Sequence, residues 1–393
     1  MVTTLLPCYT VKMEEIDLHV SLIALPPLAE LAAIWQSLQT QSDHSFFTSW
    51  AWIGCWLQVL PKNLSPLLLK AERAGKIVGA GIVVAKKRSQ LRLFKTPALY
   101  LHTTGDPKFD EITIEYNSFL ADRSIAPQIV KKFLGFLFSH HEYRCDEIFI
   151  DGGIHAHGLQ GINPVGTRLL VPRLRGCYSV DLNQLRLSGQ EYISTLGPSR
   201  RYNIRRSMKE YSKVGALNMT IANSVAEAVF ILGELRQLHQ AYWQKKGSTG
   251  AFANPFFNEF INRLTSTQFA SGSIQLLCVR AGDRAIGYLL NFVYQGHVYQ
   301  YQSGFDYHVC EKYNGPGYVC HLFGVEHNVK NGHYKYDYMA GDSEYKKAMG
   351  EPDGELSWQV VQRERLGFRI EDRVRHVVRS LKNLSKKPQI FEE

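Results

Sequence analysis

The feature that most constrains this chain is a motif it carries twice. Leu68-Leu69-Lys70-Ala71-Glu72-Arg73-Ala74-Gly75 followed by Val78-Gly79 is echoed by Leu276-Leu277-Cys278-Val279-Arg280-Ala281-Gly282 followed by Ile286-Gly287. Each copy reads as two strands joined by a glycine turn. The echo continues in outline, since a helical stretch from Ala126 to His141 precedes the strand Glu147 to Asp151, and another from Gly317 to Lys330 precedes the strand Tyr334 to Ala340. Two halves on one mixed α/β plan are implied.

The second copy carries more chemistry. After strands Ala285 to Tyr294 and Val298 to Gly304 comes Tyr313-Asn314-Gly315-Pro316-Gly317, where the next helix starts. Proline suits a first helical position, because its missing amide is one of the unpaired ones there, and glycines let backbone approach a ligand closely. Free amides and the positive end of the helix dipole suit a phosphate, which assigns such contacts to Asn314, Gly315, Gly317 and Tyr318. The strand that follows ends in the polar cluster Gly341-Asp342-Ser343-Glu344-Tyr345-Lys346.

A chain of 393 residues suits two domains. The expected division is a first lobe over 1–165, a second over 166–360 and a basic tail over 361–393. A formal net charge of +9 favours an anionic partner such as CoA, a nucleotide sugar, tRNA or a lipid surface. The cysteines, Cys8, Cys55, Cys145, Cys177, Cys278, Cys310 and Cys320, form no close pair and read as reduced core residues of a cytoplasmic protein. Met13, Glu14, Glu15 and Asp17 break any leader pattern, and the apolar windows Trp50 to Leu60 and Ile129 to Phe138 are too short to span a bilayer, so neither a signal peptide nor an integral membrane segment is expected.

Within the second half, a strand is expected over Cys177 to Leu182, then a short helix with a Ser188/Glu191 capping box that ends at Gly197. A basic helix from Ser199 to Lys213 carries Arg200, Arg201, Arg205, Arg206, Lys209 and Lys213. A third helix, capped by Ser224 with Glu227, is expected to bury Val225, Val229, Leu232 and Leu235. A fourth starts at Asn254 and Pro255 and packs through Phe257, Phe260, Ile261 and Leu264. Trp52, Trp56 and Val59 have the spacing of a core-facing helix. Arg363 to Lys387 reads as a basic, weakly amphipathic helix, a solvated or docking tail first and a membrane-surface element second.

The order of several motifs resembles a known family. Gln302-Ser303-Gly304-Phe305-Asp306, then Tyr313 to Gly317, then Asp337 and Gly341 before Glu344-Tyr345-Lys346, is similar to the pattern of the CelD/BcsL cellulose-biosynthesis acetyltransferase-like family. That family lies within the GNAT acyltransferases and is related to the FemAB peptidyltransferases. Phe47, Ser49, Trp50, Trp52 and Trp56 match its aromatic N-terminal segment. Arg201, Asn203, Arg205 and Arg206 match its basic middle helix, and Leu238, His239, Tyr242 and Trp243 the helix after that. The resemblance runs from about Ser45 to Met349. It implies an α/β fold of tandem GNAT-like domains, each a mixed twisted sheet flanked by helices, with the donor site in the second.

Under that resemblance the donor is acetyl-CoA or another acyl-CoA, its carbonyl near Gln302, Ser303, Gly304 and Phe305 and its phosphates at the helix start. Asp306, Asp337 and Asp342 are candidates for the base, or else they cap turns. Tyr345 would protonate the leaving thiolate, or else it packs. Lys346 matches the family's final lysine and would bind an anionic group or stabilise a charged intermediate, or else it pairs with Glu344 or a nearby aspartate. Arg201 and Arg205 share a helix side and either clamp an anionic substrate or form a solvated face. Trp243, with Tyr242 and Lys246, lines an acceptor cleft or belongs to the core. His155 and His157 lack a third ligand at metal-binding spacing, so no metal is expected. Nothing points to DNA. The expected activity is transfer of an acyl group from acyl-CoA to an amine or hydroxyl of a small or sugar-like acceptor. The rivals are FemAB-like transfer from aminoacyl-tRNA and a non-catalytic binding module for envelope or polysaccharide machinery.

Overall fold

A computed structural model describes residues 17–90, 94–140, 143, 145–155, 159, 161–310, 312, 315–371 and 373–374. The first half runs β1 (His19–Ala24), α1 (Leu28–Gln39), α2 (Trp50–Val59), β2 (Leu67–Arg73), β3 (Lys76–Gln90), β4 (Phe94–Leu101), α3 (Pro107–Asp110), β5 (Leu120–Ala121), α4 (Ala126–Ser139) and β6 (Glu147–Ile154). Next come β7 (Thr167–Asp181), α5 (Leu182–Ser188), α6 (Tyr192–Thr195), α7 (Pro198–Val214), β8 (Leu217–Ile221), α8 (Val225–Lys245) and α9 (Pro255–Gln268). The chain continues through β9 (Ile274–Ala281), β10 (Arg284–Tyr294), β11 (His297–Phe305), α10 (Pro316–Lys330), β12 (Lys335–Ala340), α11 (Glu344–Met349) and β13 (Glu351–Arg363).

The repeated motif is the hairpin β2–β3 in one half and β9–β10 in the other. In each half the third strand pairs antiparallel with the hairpin, and a helix crosses to a parallel fourth strand: β4 to β6 through α4, β11 to β12 through α10. The halves merge in a 13-stranded sheet ordered β1-β2-β3-β4-β6-β13-β7-β12-β11-β10-β9-β8, with β5 against β3. The join is an exchange. β7 follows β6 in sequence but lies beside β12, whereas β13 follows β12 but lies beside β6, and the two pair with each other.

One core serves both halves on one sheet face. α1, α2, α8 and α9 meet there, with Trp52 edge-on to Phe260 at 4.6 Å and Phe46 stacked on Phe292 at 4.6 Å. Trp52, Trp56 and Val59 are buried, as their spacing requires. On the opposite face α4 covers the first half, and α5, α6, α7 and α10 cover the second. The six described cysteines are free thiols.

Three local expectations change. The Ser188/Glu191 capping box is absent: Asp181 caps α5 by accepting from the Gln184 amide at 2.9 Å, and Gly189, at φ +65°, ends it, leaving Ser188 as its last residue. Val225 and Val229 are exposed, because the inward face of α8 is Ala228, Ile231, Leu232, Leu235 and His239. The second half's opening strand starts at Thr167 rather than Cys177, lengthened by pairing with β13, a strand that sequence reading left unassigned. Among the described residues no helix is long and apolar enough to cross a membrane.

Candidate active site

In the second half β11 and β12 pair only from His297 to Tyr299 against Lys335 to Asp337, then part. Both strands supply the bend. Gln300 and Gln302 of β11 face the neighbouring residues Asn291 and Leu290 of β10, so Tyr301 is an unpaired bulge residue that kinks the strand. On the other side the β12–β7 register breaks between Asp337 and Ala340, where Met339 takes φ +62°. A wedge therefore opens between Gln302-Ser303-Gly304 and Met339-Ala340. Gly304 is required here, because a Cβ would lie 2.4 Å from the Leu235 carbonyl oxygen of α8.

α10 begins at the mouth of this wedge. The Gly317 and Tyr318 amides have no partner among the described residues, as a helix start dictates. The two glycines serve close packing: added methyls would press on Ser207 of α7 and on the Phe305 ring. Asn314 lies outside the described residues. The cation beside Tyr318 is Arg200, whose guanidinium sits 4.2 Å from the ring centroid. Arg201 instead donates to the Ser194 carbonyl at 2.7 Å, and Arg205 is exposed.

Lys346 reaches back from α11 and donates to the Ala340 carbonyl at 2.7 Å and to that of Met339 at 3.4 Å. Gly341 makes this geometry accessible, since its φ of +141° disfavours other residues and a Cβ there would meet Nζ at 3.2 Å. Burial lowers the lysine's pKa, against the raising effect of Glu115 and Asp337. Tyr345 lies flat on His321 at 5.5 Å, its hydroxyl 3.5 Å from Gln300 Oε1. His321 is buried with Nδ1 unpartnered among the described residues, and burial and then the Lys346 charge press its pKa down to about 3.

Asp337 is fully buried under three donors. Oδ2 accepts from Tyr116 at 2.5 Å and from His297 Nε2 at 3.0 Å, and Oδ1 from the Met339 amide at 2.6 Å. Burial works to raise its pKa, but His297, Lys335 and Tyr116 prevail and hold it below the usual range. Asp306 accepts from the His308 amide at 2.7 Å in a turn, and Asp342 is exposed, 3.5 Å from Arg175. Trp243 is partly exposed and donates to His239 Nε2 at 3.0 Å, on the α8 face where His239 meets Gln302.

Glu115 and Tyr116 went unnoticed in the sequence because they belong to the first half. Glu115 Oε2 accepts from the Ala340 amide at 2.9 Å, so the Ala340 peptide is held by Glu115 at one end and Lys346 at the other. Burial raises the Glu115 pKa to about 7, although the Ala340 amide and the Lys346 charge pull it down. That value suits proton transfer near neutrality.

The equivalent wedge in the first half is closed. β4 and β6 pair from Ala98 to Tyr100 against Glu147 to Phe149, and beyond that Asn117 bridges them. Its amide donates to the Gly152 carbonyl at 3.1 Å, and its Nδ2 donates to the Leu101 carbonyl at 3.0 Å. His102 Nδ1 donates to its Oδ1 at 2.8 Å, the imidazole kept neutral by burial, which lowers its pKa to about 4. One loop thus seals its own half at Asn117 and furnishes the other half with Glu115 and Tyr116.

His157 lies outside the described residues, and among the described residues no group of three or more His, Cys, Asp or Glu side chains is placed to hold a metal.

Residues 198–347 match the Acetyltransferase (GNAT) domain family, a stretch from the start of α7 to α11 that contains the wedge, the α10 start and Lys346. No curated protein matches the chain. Among solved structures, FemX superposes with a TM-score of 0.53 at 12% identity, covering 86% of this chain and 96% of FemX. L-PGS from Bacillus licheniformis superposes with a TM-score of 0.50 at 10% identity, covering 88% of this chain and 95% of that one. At such identity the likeness is one of fold. Residues 198–347 are therefore similar to a GNAT-type acetyltransferase domain, set in a mixed α/β fold that repeats one plan in two halves.

Proposed function

We propose that the protein is an acyltransferase that moves an acyl group from an acyl-CoA, acetyl-CoA being the first to test, to an amine or hydroxyl of a small or sugar-like acceptor. The observation that carries this reading is the asymmetry between the halves. Residues 166–360 hold an open wedge beside a helix start with unpaired amides, whereas the wedge of residues 1–165 is sealed by Asn117. The donor's phosphates are assigned to Gly315, Gly317 and Tyr318, with Arg200 beside them, and its thioester carbonyl to the bent stretch from Gln302 to Phe305. Backbone amides aimed there would stabilise the oxyanion as it forms. Glu115 is the preferred base: it takes the acceptor's proton as the new bond to the carbonyl carbon forms. The carbon–sulfur bond then breaks, and Tyr345 protonates the leaving thiolate. In this reading Lys346 keeps β12 bent and sets the charge state of Glu115, while Trp243 and His239 line the acceptor side. Asp337 is a positioning residue, Asp306 is held in its turn, and Asp342 lies at the rim.

FemAB-like transfer from aminoacyl-tRNA is the second reading, favoured by the basic face of α7 and by the span of the FemX superposition. Thermal shift with acetyl-CoA, longer acyl-CoAs, free CoA and bulk tRNA separates the two. A ligand at about a hundred times its dissociation constant adds roughly 2.7 kcal/mol, visible as a rise of about 3 °C in a chain this long. Stabilisation by an acyl-CoA is expected. No response to any CoA, with salt-sensitive stabilisation by tRNA, would overturn the first reading in favour of the second.

A further inference from the structure

We infer that the acceptor is an anion: Arg173, in the groove beside Glu115, pairs with its carboxylate or phosphate, and Asp151 accepts from a hydroxyl or ammonium of the same molecule. This rests on the acyl-transfer reading above and names the acceptor class for that site. The groove lies where β6, β13 and β7 run side by side. Arg173 pairs with Trp358 across the β7–β13 ladder. On its other side Trp358 meets a bulge: Ser357 pairs with Gly153 and Gln359 with Ile150, so Asp151 and Gly152 oppose one residue. Gly152 brings the loop that carries Glu115 down onto this row. Its φ is +69°, and a Cβ there would lie 2.4 Å from the Ile114 carbonyl oxygen and 3.2 Å from the Glu115 Cα. Glu115 therefore stands over β6, one strand from Trp358 and two from Arg173, a separation of roughly 10 Å at ordinary strand spacing that a small molecule bridges.

The Arg173 guanidinium lies 4.0 Å from the Trp358 ring centroid. Contact with the ring holds the guanidinium in place and leaves its N–H edges free, and among the described residues they have no hydrogen-bond or ion-pair partner. Arg175, two residues on, is by contrast engaged by Asp342 at 3.5 Å. Asp151 is partly buried, and its carboxylate also has no hydrogen-bond or ion-pair partner among the described residues. Burial and then Asp110 raise its pKa to about 6, against the Arg173 charge. Burial raises the Glu115 pKa too, and Arg173 is among the charges that pull it back. A cation and a carboxylate that sit on neighbouring strands without pairing, beside the proposed base, form the kind of sparse polar set that orients a ligand. A neutral acceptor filling the groove would displace water from the Arg173 N–H edges and leave them unanswered, whereas a carboxylate or phosphate accepts from them.

The test is a thermal-shift titration of the full-length chain with glucosamine, glucosamine 6-phosphate and glucosaminic acid, which share an amine and differ in the anion. The phosphate or the carboxylate member should stabilise the protein where glucosamine does not, and a response to only one of the two supports the inference and identifies the group. R173Q should weaken that binding at least about tenfold, as expected for the loss of a charge-assisted hydrogen bond. It should not shift the unfolding temperature of the free protein, because Arg173 is exposed. D151A should weaken the binding as well, without destabilising the free protein, since its carboxylate has no described partner to lose. R200Q, which removes the cation beside the α10 start, should leave the binding intact and so separates this site from the donor's. No response to either anion, an equal response to glucosamine, or undiminished binding in R173Q overturns the inference. A shift with CoA but none with the sugars removes this inference alone. An R173Q-sensitive response to the anions with no shift by any CoA instead removes the acyl-CoA reading and leaves the anion site standing.

Discussion

Replacing Glu115 by Gln tests the electrostatics at the join between the halves. Glutamine keeps an oxygen for the Ala340 amide and removes only the charge. The Glu115 pKa rises from 4.5 when unfolded to about 7 when folded, so between those values the folded state binds the proton more tightly. Stability from this group is therefore full below the unfolded pKa and is lost as pH rises towards the folded one. From pH 5 to pH 8 the wild type should lose about 2.5 kcal/mol that E115Q does not lose, most of it between pH 5 and 7. With an unfolding entropy of about 2.1 cal/mol/K per residue, that is a relative fall in Tm of about 3 °C. The assay is calorimetry of both proteins at half-unit pH steps. Other titrating groups, such as Asp151 with its pKa raised to about 6 by burial, are common to both and cancel in the difference. Parallel Tm profiles would refute the reasoning and remove Glu115 as a base poised near neutrality.

Two substitutions probe the wedge itself. Gly304→Ala forces a methyl against the Leu235 carbonyl of α8 and should cost about 1–3 kcal/mol in thermal or chemical unfolding. Lys346→Ala leaves two carbonyls of β12 without their donor, which should cost roughly 1–3 kcal/mol. It should also lower turnover beyond what that loss explains, and full turnover in a stably folded K346A protein would take the lysine out of the mechanism.

What could be read from the sequence was what is local in the chain. The hairpins, α10 and the strands around it were legible because strand alternation, the Gly315-Pro316-Gly317 start and helical periodicity are written within a few residues. The same holds for the Asn254 cap, which accepts from the Phe256 amide at 2.9 Å, and for the buried Phe257, Phe260, Ile261 and Leu264 behind it. β13 was illegible for the opposite reason. Its early Pro352 and Gly354 speak against a strand, and its long pairing with β7 joins residues remote in sequence.

The same non-locality explains why Glu115 and Tyr116 escaped notice. Ile112 to Asn117 has no motif, and its meaning depends on a partner more than two hundred residues away, at Asp337 and Ala340. The exchange of β7 and β13 ties the two halves together beside that contact. Because β13, which closes the second half, lies beside β6 of the first and also pairs with β7, the two halves share one continuous sheet next to the loop that reaches Asp337 and Ala340. From that one loop Asn117 seals the first wedge and Glu115 reaches the Ala340 amide of the other. That is the arrangement a preorganised proton acceptor requires.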